Sequence, residues 1–245
     1  MISLPAITSD CNGRFYRVVE SQESVATMQI VDTLDEQSML EDIIEASKPP
    51  IPYQADKSDR HYLLKTPFRY PPLKYGSRFG RQYEPSIFYA SHTVKSALYE
   101  SAFYSFYFMS RSETPFTGVI INKKTSFAAN IFTKHYVNLC LIEDHDLQLA
   151  LQHKSDYTYP HQVGTYMRHE GVDAFSYYSA REDGGKHVGI FYLDAIIGLP
   201  EDDCQWQIKQ SPERIVYYCP SDTSLNMEFS VETFYVDGKL PHPSQ

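Results

Sequence analysis

No run of 18 uninterrupted apolar residues occurs in the chain, which excludes a long hydrophobic membrane helix. The first residues, MISLPAITSDCNGRF, carry neither a basic n-region nor a long apolar h-region, so a Sec-type leader is not expected and a cytoplasmic protein is. Basic residues are in the minority, 22 against 31 acidic ones. The resulting formal charge of −9 disfavours direct binding of nucleic acid through its phosphates. It leaves room for a small anion held by two or three local arginines. The cysteines, Cys11, Cys140, Cys204 and Cys219, lie far apart with no CxxC pair, so reduced thiols are expected rather than a disulfide framework or a zinc knuckle. His145, His153, His161 and His169 recur every eight residues. On a helix that interval drifts by about 80° per step, and Pro160 interrupts the run, so no metal site is read from it. GxGxxG and GxxxxGK[ST] are both missing, which removes the Rossmann and P-loop ways of cradling phosphate.

What is present suffices for a sizeable core: 42% of the 245 residues are hydrophobic. RFYRVVE at 14–20 predicts a strand, and the acid-rich segment 21–48 predicts a solvated helix near 35–47, stopped by the prolines of SKPPIPY. Residues 49–85 hold seven prolines and read as extended or irregular chain. Beyond 86 the pattern sharpens. SIFYAS predicts a strand, Thr93 a cap, and 94–109 a helix. TGVIINKK and TSFAANIF predict strands, and helices follow near 144–153 and 161–170, the second closed by Gly171. VDAFSYYS and HVGIFYLDA flank the turn REDGGK as a hairpin, and further strands are expected at 204–209, 213–219 and 226–236. Helices and strands mix without regular βαβ alternation, so the expected class is α+β, in one domain.

The helix VKSALYESAFYSFYFM is apolar or aromatic on nearly every side, yet carries Glu100 at its middle. A carboxylate buried there needs hydrogen bonds or a cation. Its helical neighbours are Ala97, Tyr104 and Tyr107. Upstream, KYGSRFGRQY places Arg78 and Arg81 in a glycine-bracketed loop entering the strand of Tyr89. Guanidinium groups stay charged when desolvated and bind phosphates bidentately. Arg17, in the apolar context FYRVV, is a third cation and shares its strand face with Phe15 and Val19. Ser179 ends a strand where a hydroxyl can reach either a ligand or its own turn.

In order along the chain, FYRV at 15–18, GSRFG at 76–80, IFYAS with ALYESAF, and GVDAFSYYSAR at 171–181 resemble the RES-domain family, toxins of RES–Xre toxin–antitoxin systems. Arg78 to Tyr89 and Tyr89 to Glu100 are each eleven residues, the spacing of that family's pattern. The resemblance spans about 15–195, with a long insertion around 21–75. It implies an ADP-ribosyltransferase-like α+β fold and cleavage of the nicotinamide–ribose bond of NAD+ by phosphorolysis or hydrolysis. Arg17, Glu100 and Ser179 would then be catalytic, with Arg78 and Tyr89 binding NAD+. The implied set needs no metal and no cofactor beyond NAD+ as substrate, with inorganic phosphate as co-substrate in phosphorolysis. An Xre-type antitoxin is the implied partner. Protein ADP-ribosylation and a non-catalytic binding module on the same fold are the alternatives. Phe79-Gly80 departs from the Trp-Asn of many members, which puts that edge of the pocket in question.

Overall fold

The computed structural model describes residues 10–21, 27, 30–50, 60–72, 74–114 and 117–243. The expected insertion is therefore seen only in part, since 51–59 and most of 22–29 lie outside the described residues. In chain order the elements are β1 (Cys11–Glu20), α1 (Leu34–Ser47), α2 (Tyr62–Arg69), β2 (Phe88–Ser91), α3 (Val94–Ser110), β3 (Ile120–Thr133), β4 (Tyr136–Asn138), α4 (His145–Leu151), α5 (Thr158–His169), β5 (Ala174–Tyr178), β6 (Lys186–Ile190), β7 (Ile196–Gln210), β8 (Arg214–Tyr218) and β9 (Met227–Ser230). The class is α+β, as the mixed pattern predicts. None of the described helices is long and apolar enough to cross a membrane.

The strands form one sheet in the order β4-β5-β6-β2-β1-β3-β7-β8-β9. Every neighbouring pair is antiparallel except β4 with β5. Alternation on β1 buries Phe15 and packs Val19 beside it, together with Phe88, Phe127 and Ile190. A second core sets Leu98, Phe103 and Phe106 of α3 against Trp206 and Tyr217 of β7 and β8. A third gathers Phe79, Val163, Met167 and Phe175. α3 starts where expected, with the Thr93 hydroxyl accepting the Ser96 N–H at 3.1 Å.

Three elements differ from expectation. TGVIINKK and TSFAANIF join into the single long strand β3, because its pairing with β1 runs unbroken from Cys11↔Thr133 to Glu20↔Lys124. α2 forms inside the proline-rich segment, since Leu64 and Phe68, one turn apart, bury together against the first core while Pro67 sits in the last turn. The expected strand 226–236 ends at Ser230 and continues as a 3-10 turn over Val231–Phe234. The expectation of reduced thiols is also corrected for two cysteines. Cys204 on β7 and Cys219 after β8 are joined by a disulfide, because the hairpin between them brings their Cα atoms to 6.5 Å. Cys11 and Cys140 are free.

Candidate active site

A cavity of about 1100 Å³ opens between α3, the inner strands and the loop before β2. Arg17, Arg78, Tyr89 and Glu100 all line it, together with Tyr104, Tyr157, Tyr177 and His187. A second hollow, bordered by Val119, Lys209 and Arg214, measures about 200 Å³ and is too small for a dinucleotide.

The arginine loop is clamped from three sides. Ser77 and Gly80 exchange backbone hydrogen bonds of 2.7 and 3.3 Å, closing a tight turn. Gly76 enters it at φ +76°, where a Cβ would lie 2.3 Å from the Gly80 carbonyl oxygen. From β2, the Tyr89 hydroxyl accepts the Phe79 N–H at 3.1 Å and meets Ser77 Oγ at 2.9 Å. From α5, a His161 ring nitrogen lies 2.8 Å from the Ser77 carbonyl, and Gly164 leaves the space the Phe79 carbonyl occupies. Phe79 itself is fully buried edge-on to Phe175 and Tyr177, so it anchors the turn from below and forms no pocket edge.

This clamping presents Arg78 to the cavity. Its Nη1 donates to the carbonyls of Leu151 (3.1 Å) and His153 (2.8 Å), and its guanidinium lies 4.6 Å from the centre of the Tyr157 ring. Its Nη2 makes one long contact, 3.5 Å to the Tyr157 hydroxyl, and its Nε has no partner among the described residues. Arg81 turns instead to the Tyr83 hydroxyl and is not among the described residues lining the cavity.

Arg17 lies against the Phe88 ring at 5.0 Å and donates from Nη1 to the Tyr89 carbonyl at 3.3 Å. No carboxylate pairs with it among the described residues. Burial accordingly pulls its pKa down to about 10, because the charged form is poorly solvated there. Two arginines from different elements line one cavity, neither paired with a carboxylate among the described residues, and this makes an anion the natural guest.

Glu100 corrects the expectation of a buried carboxylate. Its side chain is 41% exposed, because α3 turns Ala97, Glu100, Tyr104 and Tyr107 toward the cavity. Phe103 and Phe106 of the same helix are buried in the second core, and the Phe103 ring stacks on that of Tyr107 at 6.2 Å. Around the carboxylate the phenols stay protonated at neutral pH. Burial pushes Tyr89 up to about 12, with its bonds to Ser77 and Phe79 opposing the shift. Burial and then Glu100 raise Tyr104, and burial, then Tyr89 and Glu100, hold Tyr177 well above the ordinary range. His187 on β6 stands beside them, with Nε2 at 4.0 Å from Glu100 Oε2.

Ser179 is placed apart from this group. Its hydroxyl accepts the N–H groups of Arg181 (3.0 Å) and Glu182 (3.1 Å), capping the turn between β5 and β6, and it is not among the described residues lining the cavity. The turn it caps supports the site indirectly. Arg181 lies 3.6 Å from the Phe103 ring centre and donates to the Lys154 carbonyl at 3.0 Å, while buried Glu182 pairs with Lys95 of α3 at 3.1 Å. Of the four evenly spaced histidines, His153 caps its own turn, His161 holds the arginine loop and His169 meets Glu170, while His145 begins α4.

The residue that sequence reasoning missed is His187. Its only signal is adjacency across strands, since Ser91 and His187 pair directly in the β2–β6 ladder. Both strands are readable from sequence, but their register is not.

The RES domain family profile matches residues 51–209, a span that holds Arg78, Tyr89, Glu100 and Ser179 but begins after Arg17. Comparison with curated proteins returned no match. A solved structure, the crystal structure of the M. tuberculosis MbcT-MbcA toxin-antitoxin complex, aligns at 9% identity with a TM-score of 0.44, covering 84% of this chain and 88% of that chain.

Proposed function

This chain belongs to the RES domain family, and from that premise we propose that it is an NAD+-degrading toxin that cleaves the nicotinamide–ribose bond. The observation that carries the reading is the convergence of Arg17, Arg78, Tyr89 and Glu100 on one cavity, from three separate elements and a loop. Breaking an N-glycosidic bond to a pyridinium ring develops positive charge on the ribose, through an oxocarbenium-like state. The leaving nicotinamide departs neutral, so no strong general acid is needed. The task left to the protein is to hold the diphosphate and to meet the ribosyl cation with negative charge.

Arg78, fixed by two carbonyls and the Tyr157 ring, holds the diphosphate with the N–H groups it has left. Arg17 takes a second anionic oxygen, from the diphosphate or from an attacking inorganic phosphate. Glu100 faces the ribose in a cavity walled by tyrosine rings, where its charge stabilises the cation once substrate displaces water. In phosphorolysis a phosphate oxygen bonds to the ribose carbon as the bond to nicotinamide breaks, giving ADP-ribose-1″-phosphate and nicotinamide. In hydrolysis water attacks, giving ADP-ribose, nicotinamide and a proton. The family resemblance also supports an Xre-type antitoxin as partner, covering the mouth of this cavity.

Incubating the purified protein with NAD+, with and without phosphate, tests the reading by chromatography of the products. Nicotinamide with ADP-ribose-1″-phosphate is expected when phosphate is present. Intact NAD+ under both conditions, with a folded sample, defeats the proposal. Labelled ADP-ribose on proteins of a lysate would move the reading to protein ADP-ribosylation.

A further inference from the structure

His187 is 4% exposed, with its ring on the Tyr177 ring at 5.5 Å and its Nδ1 fixed 2.8 Å from Ser91 Oγ. Its Nε2 is shielded from water and has no hydrogen-bond partner among the described residues. A ring nitrogen so placed is costly unless something completes it. The charged oxygen facing it is Glu100 Oε2, 4.0 Å away, too far for a hydrogen bond as it stands. The two partners differ in freedom. The histidine is locked between strands, whereas Glu100 is a long side chain half open to the cavity.

We infer that His187 is a positioning residue for Glu100: it offers Nε2–H as the fixed point to which the carboxylate turns when substrate fills the cavity. This rests on the reading of Glu100 as the group that meets the ribosyl cation. This role requires the Ser91 hydroxyl to donate to Nδ1, 2.8 Å away, so that the proton of the neutral ring sits on Nε2. Burial favours that neutral ring. Glu100 and Glu182 pull toward the charged one, as does the Ala90 backbone, while Arg78 pushes against it, and just past β2 His92 is depressed by its own burial and then by Lys186 and His187. A neutral donor suits the task better than a lysine would. It fixes one carboxylate oxygen without cancelling the negative charge that the ribosyl cation must meet.

Two variants and one spectrum test this. His187→Leu removes the donor, and His187→Gln restores a neutral N–H of similar reach. With folding checked by near-UV circular dichroism, kcat for nicotinamide release falls about 100-fold in the leucine variant with KM little changed. The glutamine variant recovers most of the loss. An undiminished kcat in His187→Leu, or a glutamine variant no better than leucine, overturns the inference. Independently of turnover, nitrogen NMR reports the protonated ring position and the titration of His187. The expected result is a proton on Nε2 and a titration that moves to lower pH in Glu100→Gln. A proton on Nδ1, or a titration indifferent to Glu100→Gln, overturns the inference even where NAD+ is cleaved. If NAD+ is not cleaved while the spectra behave as expected, the pairing stands and only the assigned reaction fails.

Discussion

The hydroxyl of Tyr89 accepts the backbone N–H of Phe79 at 3.1 Å, so a strand side chain holds the turn that presents Arg78. The same oxygen meets Ser77 Oγ, which makes Tyr89 a brace for the loop as well as a wall of the cavity. Tyr89→Phe keeps the ring and removes the brace, leaving the Phe79 N–H unpaired. A loss of about 1–2 kcal/mol of stability is expected in urea unfolding. If Tyr89 acts through Arg78, KM for NAD+ rises several-fold while kcat changes less. A variant with wild-type KM would assign Tyr89 to packing alone.

Gly164 bounds the same loop from α5. A Cβ there would lie 1.8 Å from the Phe79 carbonyl oxygen, and the obstacle is backbone, which cannot swing aside like a side chain. Elsewhere in a helix, Gly→Ala gains stability. Here Gly164→Ala is expected to lower the melting temperature and weaken NAD+ binding together, as the helix and loop separate. A stabilised protein with unchanged affinity in calorimetry would show that the contact gives way freely.

Most of this site is legible in the sequence because its spacing is local. Arg78, Tyr89 and Glu100 follow one another at equal intervals through a loop, a strand and a helix, and local patterning recovers all three elements. Arg17 needs only strand alternation. What stays hidden depends on long-range register. His187 reaches Glu100 because β6 pairs with β2, and Cys204 reaches Cys219 because β7 turns back into β8. Glu100 is readable as an anomaly in an aromatic helix, but the cavity that exposes it arises from how that helix sits over the sheet. For Ser179 the local sequence favours a turn residue and only the family resemblance points to a ligand; the structure gives its hydroxyl to the turn.

Arg17 places a cation with no carboxylate partner among the described residues in a poorly solvated site, and its lowered pKa is a statement about stability. The folded protein holds this proton less tightly than the unfolded chain does. The cost is therefore present at every pH below about 10 and is relieved only above it. Between pH 5 and 8 it is constant, so an anion must relieve it instead. Thermal unfolding of the wild type is expected to shift upward on adding millimolar phosphate or diphosphate. Arg17→Met is expected to match or exceed the wild-type melting temperature without those anions, to lose their effect, and to lose NAD+ cleavage. A lower melting temperature with the anion effect intact would show that Arg17 serves structure.

The Cys204–Cys219 disulfide closes a loop spanning 15 residues of sequence at the β7–β8 hairpin. Constraining such a loop in the unfolded chain is worth about 3 kcal/mol. Neither cysteine lines the cavity. Reduction, or Cys204→Ser with Cys219→Ser, is thus expected to lower the melting temperature by several degrees while nicotinamide release at 25 °C stays near wild type. Equal melting temperatures with and without reductant would show that the bond does not form in solution.

Glu100→Gln is the sharpest separation of binding from chemistry, because the amide keeps the shape of the side chain and removes its charge. The side chain is half exposed and has no close cationic partner among the described residues, His187 Nε2 being 4.0 Å away. Its loss should leave no uncompensated buried charge, and the melting temperature is expected to stay within a degree or two of wild type. If Arg17 and Arg78 hold the diphosphate as proposed, the substitution leaves those contacts in place, and the Kd for NAD+ should change little. The loss falls on the step where positive charge develops on the ribose, and kcat is expected to drop about 100- to 1000-fold, the range seen when one electrostatic stabiliser is removed. Single-turnover nicotinamide release beside calorimetric Kd distinguishes the outcomes. A weaker Kd with unchanged turnover would make Glu100 a binding group and move the charge-stabilising role elsewhere in the cavity.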